Sequence, residues 1–524
     1  MVSKDKIKNF LFIFIFFNFL AMIIFISNVF SIKKKDYFEE EYQDLEKYLV
    51  SKQDLDNNFQ DKNGPKIYIN FWHNLYPKEQ KILKKIIDVF LKKYPQIEVK
   101  DENKGNWNQI VKNIQSALTV DKQPHLVFSY PDHVKFYSKS EKVIPLDIFI
   151  EKDKNFKESD FLNNYLKKNH LEDYSSERKN SYFYFPFLKT TEIMFYNSYL
   201  LKKIYLKIQE NQEDKEELNN LINQEGKIQE DITWKEMGTI CRIIKKYKTK
   251  DFIPILVDSA DNLFIINIEQ RKNNDLKYPE NRDELDQFFQ NKNFHEIFEY
   301  FKKEFYDKKY LTFSQLCGEK EIENFILNEN ICFYITSNRR LEYSFNIPNF
   351  VPSISPLPQE NKKNEEKKQK NIVQGPNINL FYSKNKDEML ASWLLLKHLT
   401  SFESYKTLLE NGKIFNICHK INDEDIQQIE EIVEKNYSFN SATNQHLKEI
   451  NTTIKDFFKK IIIEDAKRDD YFFISPIFEN SNYLRTILKD LFVDIFSIKE
   501  ISDVDLKERI KKIFKEAYER FQTN

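Results

Sequence analysis

Between Ile67 and Tyr130 the hydrophobic period of the chain changes four times. Ile67, Ile69 and Phe71 alternate; Ile82, Leu83, Ile86, Ile87 and Phe90 recur at three to four; Ile97 and Val99 alternate again; Trp107, Ile110, Val111, Ile114 and Leu118 return to the longer spacing; and "HLVFSY" (His125 to Tyr130) closes the series. A period of two marks a strand with one buried face, and a period near 3.6 marks a helix with one buried stripe. The order is therefore βαβαβ, which predicts a parallel, doubly wound α/β sheet with right-handed crossovers. In such sheets ligands bind in the crevice beyond the carboxyl ends of the strands. The stretch "FWH" ends the first strand, so Trp72 and His73 become candidate ligand-binding residues, with core packing the competing role for Trp72.

At 524 residues the chain exceeds one ordinary core and implies two or three lobes. Lys and Arg number 81 against 82 Asp and Glu, so no net field selects nucleic acid or an acidic partner. The four cysteines, Cys241, Cys317, Cys332 and Cys418, are far apart and include no C-x-x-C, so free thiols are expected rather than a zinc site or a disulfide framework.

The first residues carry Lys4, Lys6 and Lys8 before an uncharged run from Phe10 to Ile32. A run beyond about 20 residues can cross a bilayer and exceeds the usual core of a cleaved signal. Residues 1–35 are thus expected to be a hydrophobic N-terminal helix that directs export, as a retained membrane anchor or as a cleaved signal. Residues 36–64 are rich in charge and read as a spacer between membrane and body. "YFYFPF" (Tyr182 to Phe187) and "EIMFYN" (Glu192 to Asn197) read as an extended segment where the chain passes between lobes. Gln209–Asp231 and Gln359–Asn371 are almost all charged or amide and read as solvated insertions.

The ordered blocks "FWHNLYPKEQKILKKIIDVFLKKYPQIEVK", "KGNWNQIVKNIQSAL", "KQPHLVFSYPDHVKFY", "VIPLDIFI", "PFLKTTEIMFYN", "TWKEM", "ICFYITSN", "ISPLP", "IVQGPNINLFYS" and "ASWLLLKHLTSFES" carry a resemblance. They are similar to the extracellular solute-binding proteins of ABC importers, in the carbohydrate family with its glycerol-3-phosphate-binding branch. The resemblance implies a class II periplasmic-binding-protein fold of two α/β lobes joined by hinge-crossing strands. Lobe one would comprise 66–189 and 347–412, and lobe two 190–346 and 413–524. It also implies capture of a carbohydrate or glycerol-phosphate ligand by hinge closure, delivery to ABC permease subunits at the cell surface, and neither cofactor nor metal.

On the family pattern the ligand contacts would fall at Trp107 and Asn108, Thr190 and Thr191, Phe264, Ser337 and Asn338, Gly375 and Arg485. Trp107 opens a helix whose first N–H groups suit an anion or hydroxyl; Asn108 stands where the family carries an acid. Thr190 and Thr191 match a hydroxyl-rich hinge, and Ser337 and Asn338 a polar turn near the ligand. Gly375 matches a glycine that lets backbone approach the ligand. Arg485 matches the arginine that holds phosphate in the glycerol-phosphate branch. Two departures bear on the ligand: Lys413 replaces a clamping tyrosine, and Asp258–Gln270 lacks an expected tryptophan pair, leaving Phe264 as one wall.

Two other classes stay open at this level. A membrane-tethered adhesin or sensor on the same fold would suit the altered clamp and the charged insertions. A glycoside hydrolase would need two converging carboxylates, which sequence does not locate. No H-E-x-x-H, G-x-S-x-G, P-loop or glycine-rich dinucleotide turn is present, so a binding protein rather than an enzyme is expected.

Overall fold

Strand β1 (Ile67–His73) buries Ile67, Ile69, Phe71 and His73 on one face and turns Tyr68 and Asn70 outward. The helix Pro77–Lys93 follows, started by Pro77 and by Glu79, which reaches back to the Tyr76 N–H. Its apolar stripe of Ile82, Leu83, Ile86, Ile87 and Phe90 is buried. β2 (Ile97–Asn103) then pairs parallel to β1 along its whole length, from Ile67 opposite Ile97 to His73 opposite Asn103. After the helix Trp107–Thr119, β3 (Leu126–Ser129) pairs parallel to the other edge of β1. These are the elements that the changing period predicts.

The computed structural model describes residues 38–523 apart from 172, 250, 272–275, 318–329, 341–351, 361–368, 438–451, 453, 465–467, 469–470, 476, 479 and 500–501. β4 (Asn169–His170) and β5 (Asn180–Ser181) form a small hairpin ladder. The first sheet has the order β2–β1–β3–β13–β6, with β6 (Phe185–Pro186) and β13 (Asn377–Leu380) entering it from distant sequence. The second sheet is built on β7 (Thr190–Asn197), β8 (Ile255–Val257), β9 (Leu311–Phe313), β10 (Phe333–Ser337), β11 (Pro352–Ser355), β12 (Asn371–Gln374) and β14 (Phe472–Ile474). Its order is β14–β12–β7–β10–β8–β9, with β11 added beside β7. The chain crosses from first to second sheet between β6 and β7, and back between β12 and β13 through Gly375 and Pro376. This is the two-lobed α/β binding-protein fold with crossing strands.

The first hydrophobic core surrounds the first sheet and also takes one face of the second, through Ile193, Phe195, Leu256 and Tyr334, while the second core covers the opposite face; their membership redraws the expected boundaries. Ile414, Phe415, Ile417, Ile429, Val433, Ile454 and Phe457 pack in the first core, although the expected lobe two takes in 413–524; the second core resumes at Phe478. The reason lies in hydrogen bonding after Gly412, whose φ of 78° turns the chain. Tyr405 Oη donates to the Phe415 carbonyl and Asn416 N donates to the Lys189 carbonyl, holding this stretch against the first lobe. Conversely, β11 lies within the span assigned to lobe one but pairs with β7 in the second sheet. The insertion 209–231 is not simply solvated: Leu218, Leu221, Ile222 and Ile228 join the second core, and Asp214 is buried against Lys246 and Tyr247.

The stretch 36–64 is also no spacer. Residues 38–51 form a helix whose Phe38, Tyr42, Leu45 and Leu49 are buried in the first core, followed by Leu55 and Phe59. Tyr42 Oη donates to the Glu141 carbonyl, and Arg178 pairs with Glu39 and Glu46 on the helix. Its charged residues belong to the outer face of an amphipathic helix, which overall charge conceals. The hydrophobic run Phe10–Ile32 lies outside the described residues, among which no helix is long and apolar enough to cross a membrane. All four cysteines are free. Because Leu45 has no exposure, Leu45→Ala in the full chain should lower unfolding free energy by about 2–5 kcal/mol in urea titration. A loss below about 0.5 kcal/mol would show that the helix is not integral to the first lobe.

Candidate functional site

A cavity of about 500 Å³ opens between the two lobes. Lobe one contributes Trp107 and Asn108 at the start of the helix Trp107–Thr119, and Tyr130, Asp132 and His133 at the start of the helix Pro131–Ser138. Both helices follow strands of the first sheet, so their N-termini stand at its carboxyl edge. Asn106 caps the first of them by accepting from Gln109 N, which places the Trp107 ring at the rim. That ring packs against Tyr130 at 4.2 Å between centroids and against His133 at 5.8 Å. The result is an aromatic wall with hydrogen-bonding edges.

Lobe two contributes Asp261 and Asn262 from the helix Ala260–Gln270, Tyr278, and Ser481, Arg485 and Lys489 from the helix Ser481–Phe496. The floor is the hinge itself: Lys189, Val373, Gln374 and Gly375. Gly375 has φ +91°, and a Cβ there would stand 2.4 Å from the Leu188 carbonyl oxygen. Only glycine lets the two crossing segments approach this closely.

Of the residues predicted from sequence, Trp107, Asn108, Gly375 and Arg485 line this cavity. The others do not. Trp72 lies on the outward face of β1, donating Nε1–H to Glu102 at 3.0 Å beneath the Lys104 ammonium. His73 is buried against Phe71 and Phe128, with Nε2 3.6 Å from the Asp101 carboxylate. Phe264 is enclosed by Phe294 and Phe492 in the second core, because its helix is buried on nearly every side. Thr190 and Thr191 are buried in the hinge; Thr191 Oγ1 donates to the Ile372 carbonyl and Thr191 N to Asn338 Oδ1. Asn338 spends its amide on Ile414 and Asn416, and Ser337 Oγ accepts from Arg339 N. These four residues join strands rather than face the cavity.

Arg339, next to that turn, spans the lobes. It grips Glu79 with Nε and Nη2 and lies over the Tyr76 ring at 4.6 Å. Glu79 is thus shared between its own helix cap and a residue of the opposite lobe.

The residues that the sequence reading missed are those behind the rim. Glu192, on β7, is buried; its Oε1 accepts from Asn262 Nδ2 at 2.8 Å and Gln374 Nε2 at 2.6 Å, and its Oε2 has no hydrogen-bond partner among the described residues. Asn262 Oδ1 in turn accepts from Arg485 Nη1 at 3.1 Å, and Arg485 Nη2 donates to Ser475 Oγ at 2.7 Å. Asp261 stands 3.4 Å from Arg485 and 3.7 Å from Lys489. A polar chain therefore runs from the crossing strand to the far wall. Burial, with Asp258 and Asp261 nearby, pushes the Glu192 carboxyl up to about 7. Burial pulls the Lys189 ammonium down to about 7. The signal for both is "LKTTE" itself, two opposite charges three residues apart inside an extended hydrophobic segment.

Two lobes, crossing strands and a polar cleft with one aromatic wall define a solute-binding protein. The chain belongs to the bacterial extracellular solute-binding protein family, whose model matches residues 85–432. An ABC substrate-binding protein of Listeria monocytogenes in complex with cycloalternan has a TM-score of 0.58 at 13% identity, covering 87% of this chain and 99% of that one. The sugar-binding protein MalE of Xanthomonas citri gives 0.56 at 16%, covering 87% and 100%. UgpB of Mycobacterium tuberculosis in complex with glycerophosphocholine gives 0.58 at 12%, covering 88% and 98%. No curated protein matches the chain in sequence.

The environment of Glu192 generates a pH dependence. A carboxyl raised from 4.5 to about 7 by folding binds more protons in the native state, so it lowers stability progressively as pH rises from 4.5 to about 7. Glu192→Gln removes this, and the stability difference between variant and wild type should grow by about 3 kcal/mol in favour of the variant from pH 4.5 to 8. Urea titrations at the two pH values measure it. An unchanged difference would mean that the carboxyl is not perturbed.

Proposed function

We propose that this protein is the extracytoplasmic substrate-binding component of an ABC importer, capturing a carbohydrate or glycerol-phosphate-type solute and presenting it to permease subunits. The observation that carries the reading is the composition of the cavity walls: each lobe supplies one side and the two crossing segments supply the floor. A ligand touching all three favours the closed arrangement by the difference in its contacts between open and closed states. The Trp107–Tyr130 wall suits the C–H face of a sugar ring, and the amides of Asn108, Asn262 and Gln374 suit hydroxyl groups. The hydrophobic N-terminal segment fits export, with the body outside the membrane. Arg485 is engaged with Asp261, Asn262 and Ser475, so it serves the wall as well as any ligand.

The test is a thermal-shift screen of the detergent-solubilised full chain against maltotriose, trehalose, cycloalternan, glycerol-3-phosphate and glycerophosphocholine. At a hundredfold excess over its dissociation constant a bound ligand adds about 2.7 kcal/mol, so a clear rise in Tm is expected with at least one. Trp107→Ala should weaken that ligand about tenfold. A cooperative transition that no compound raises would overturn the reading and favour an adhesin or sensor.

A further inference from the structure

Lys189 reaches the cavity from the crossing segment just before β7, with 2% of its surface exposed. Its Nζ donates to the Gly375 carbonyl at 2.9 Å, and among the described residues no carboxylate lies within ion-pair distance of it. An ammonium has three donors and a buried one needs acceptors for them. One carbonyl leaves the group incomplete on its cavity side.

The surrounding charge does not complete it. Cys418, from the stretch held against Lys189, is a thiol that burial pushes up to about 12 and so carries no charge near neutrality. On the helix Pro131–Ser138, burial holds the His133 imidazole below its usual range, and Asp132 sits beside it. Across the cavity Asp261 is shared by Arg485 and Lys489. Lys112 adds a further cation from the helix Trp107–Thr119. Glu192, three residues on, is turned to Asn262 and Gln374.

A second observation has the same sign. The helix Ser481–Phe496 lays one flank, Ser481, Arg485 and Lys489, along the cavity, and the Ser481 hydroxyl at its start is buried, 4% exposed, with no partner among the described residues. The Ser481 and Tyr483 N–H groups donate to the Phe478 and Asn480 carbonyls, so what this helix start offers a ligand is the idle Ser481 hydroxyl, a donor that an anionic oxygen can accept from.

We infer that Lys189 is a ligand-binding residue of this cleft and that it engages an anionic group, carboxylate or phosphate, on the captured solute. The inference rests on the cleft being the capture site. It narrows the solute to an acidic sugar or a polyol phosphate. Proton uptake follows because burial holds the amine near 7, and a neighbouring anion stabilises its charged form. Below pH 7 the ammonium already exists and affinity is flat. Above it, each binding event must bring a proton, so affinity falls by up to about tenfold per pH unit.

Calorimetry on the detergent-solubilised full chain tests this with trigalacturonate, glycerol-3-phosphate and maltotriose at pH 6.5 and 8.5. At least one acid should bind, roughly tenfold or more tightly at pH 6.5 than at 8.5. Its heat at pH 8.5 should vary with buffer ionisation enthalpy as uptake of about one proton requires. Maltotriose, if bound, should show neither effect. Lys189→Met should weaken the acid about thirtyfold or more and abolish the pH dependence. Trigalacturonate alone would name a carboxylate, glycerol-3-phosphate alone a phosphate. A pH-independent acid affinity in the wild type overturns the inference whether or not the variant folds, and so does binding of maltotriose without either acid, which leaves the capture site standing. Binding of none, here and in the wider screen, overturns both.

Discussion

All eight residues of β7 are buried, and four of them, Thr190, Thr191, Glu192 and Asn197, are polar. A buried polar group without a partner costs on the order of 1–3 kcal/mol, so this strand dictates what must surround it. Thr191 takes the Ile372 carbonyl and the Asn338 side chain; the Glu192 backbone carbonyl accepts from Asn371; Asn197 caps the next helix. Those partners come from β12, from the turn after β10 and, through Asn338, from Ile414 and Asn416. The hinge is thus a joint whose several strands are fixed by one another.

Much of the fold was legible because it rests on periodicity. The first βαβαβ unit could be read from Ile67 to Tyr130 because each element has one buried face, and a one-sided pattern survives in sequence. Where an element is buried all round, the pattern vanishes. The family pattern makes Phe264 a cleft wall, and its helix, which has no exposed stripe, gives no sign in the sequence that it faces the core instead. Trp72 and His73 failed on parity, since adjacent strand residues point oppositely, and here one side is the core and the other the outer edge of the sheet. Charge misled at 36–64, where Glu and Asp on one face of a helix outnumber the few apolar residues that anchor the other.

The cleft was half legible. Trp107, Asn108, Gly375 and Arg485 sit in local motifs, a helix start, a glycine at a close approach and an arginine on a helix, that a single chain displays. Glu192, Asn262, Gln374 and Lys189 meet only because β7, β12 and the helix Ala260–Gln270 converge. Convergence over 70 to 186 residues of separation leaves no local trace. Yet the cost of burying "LKTTE" was itself visible, and cost is a signal that something has been arranged to offset it.

The helix at 38–51 bears on motion. It is packed into the first core alone, through Phe38, Tyr42, Leu45 and Leu49, and the second core contains none of its residues. A tether at that end would therefore hold the first lobe, and any closure of the cleft would be a swing of the second, joined to it through β7, β12 and the Arg339 grip on Glu79.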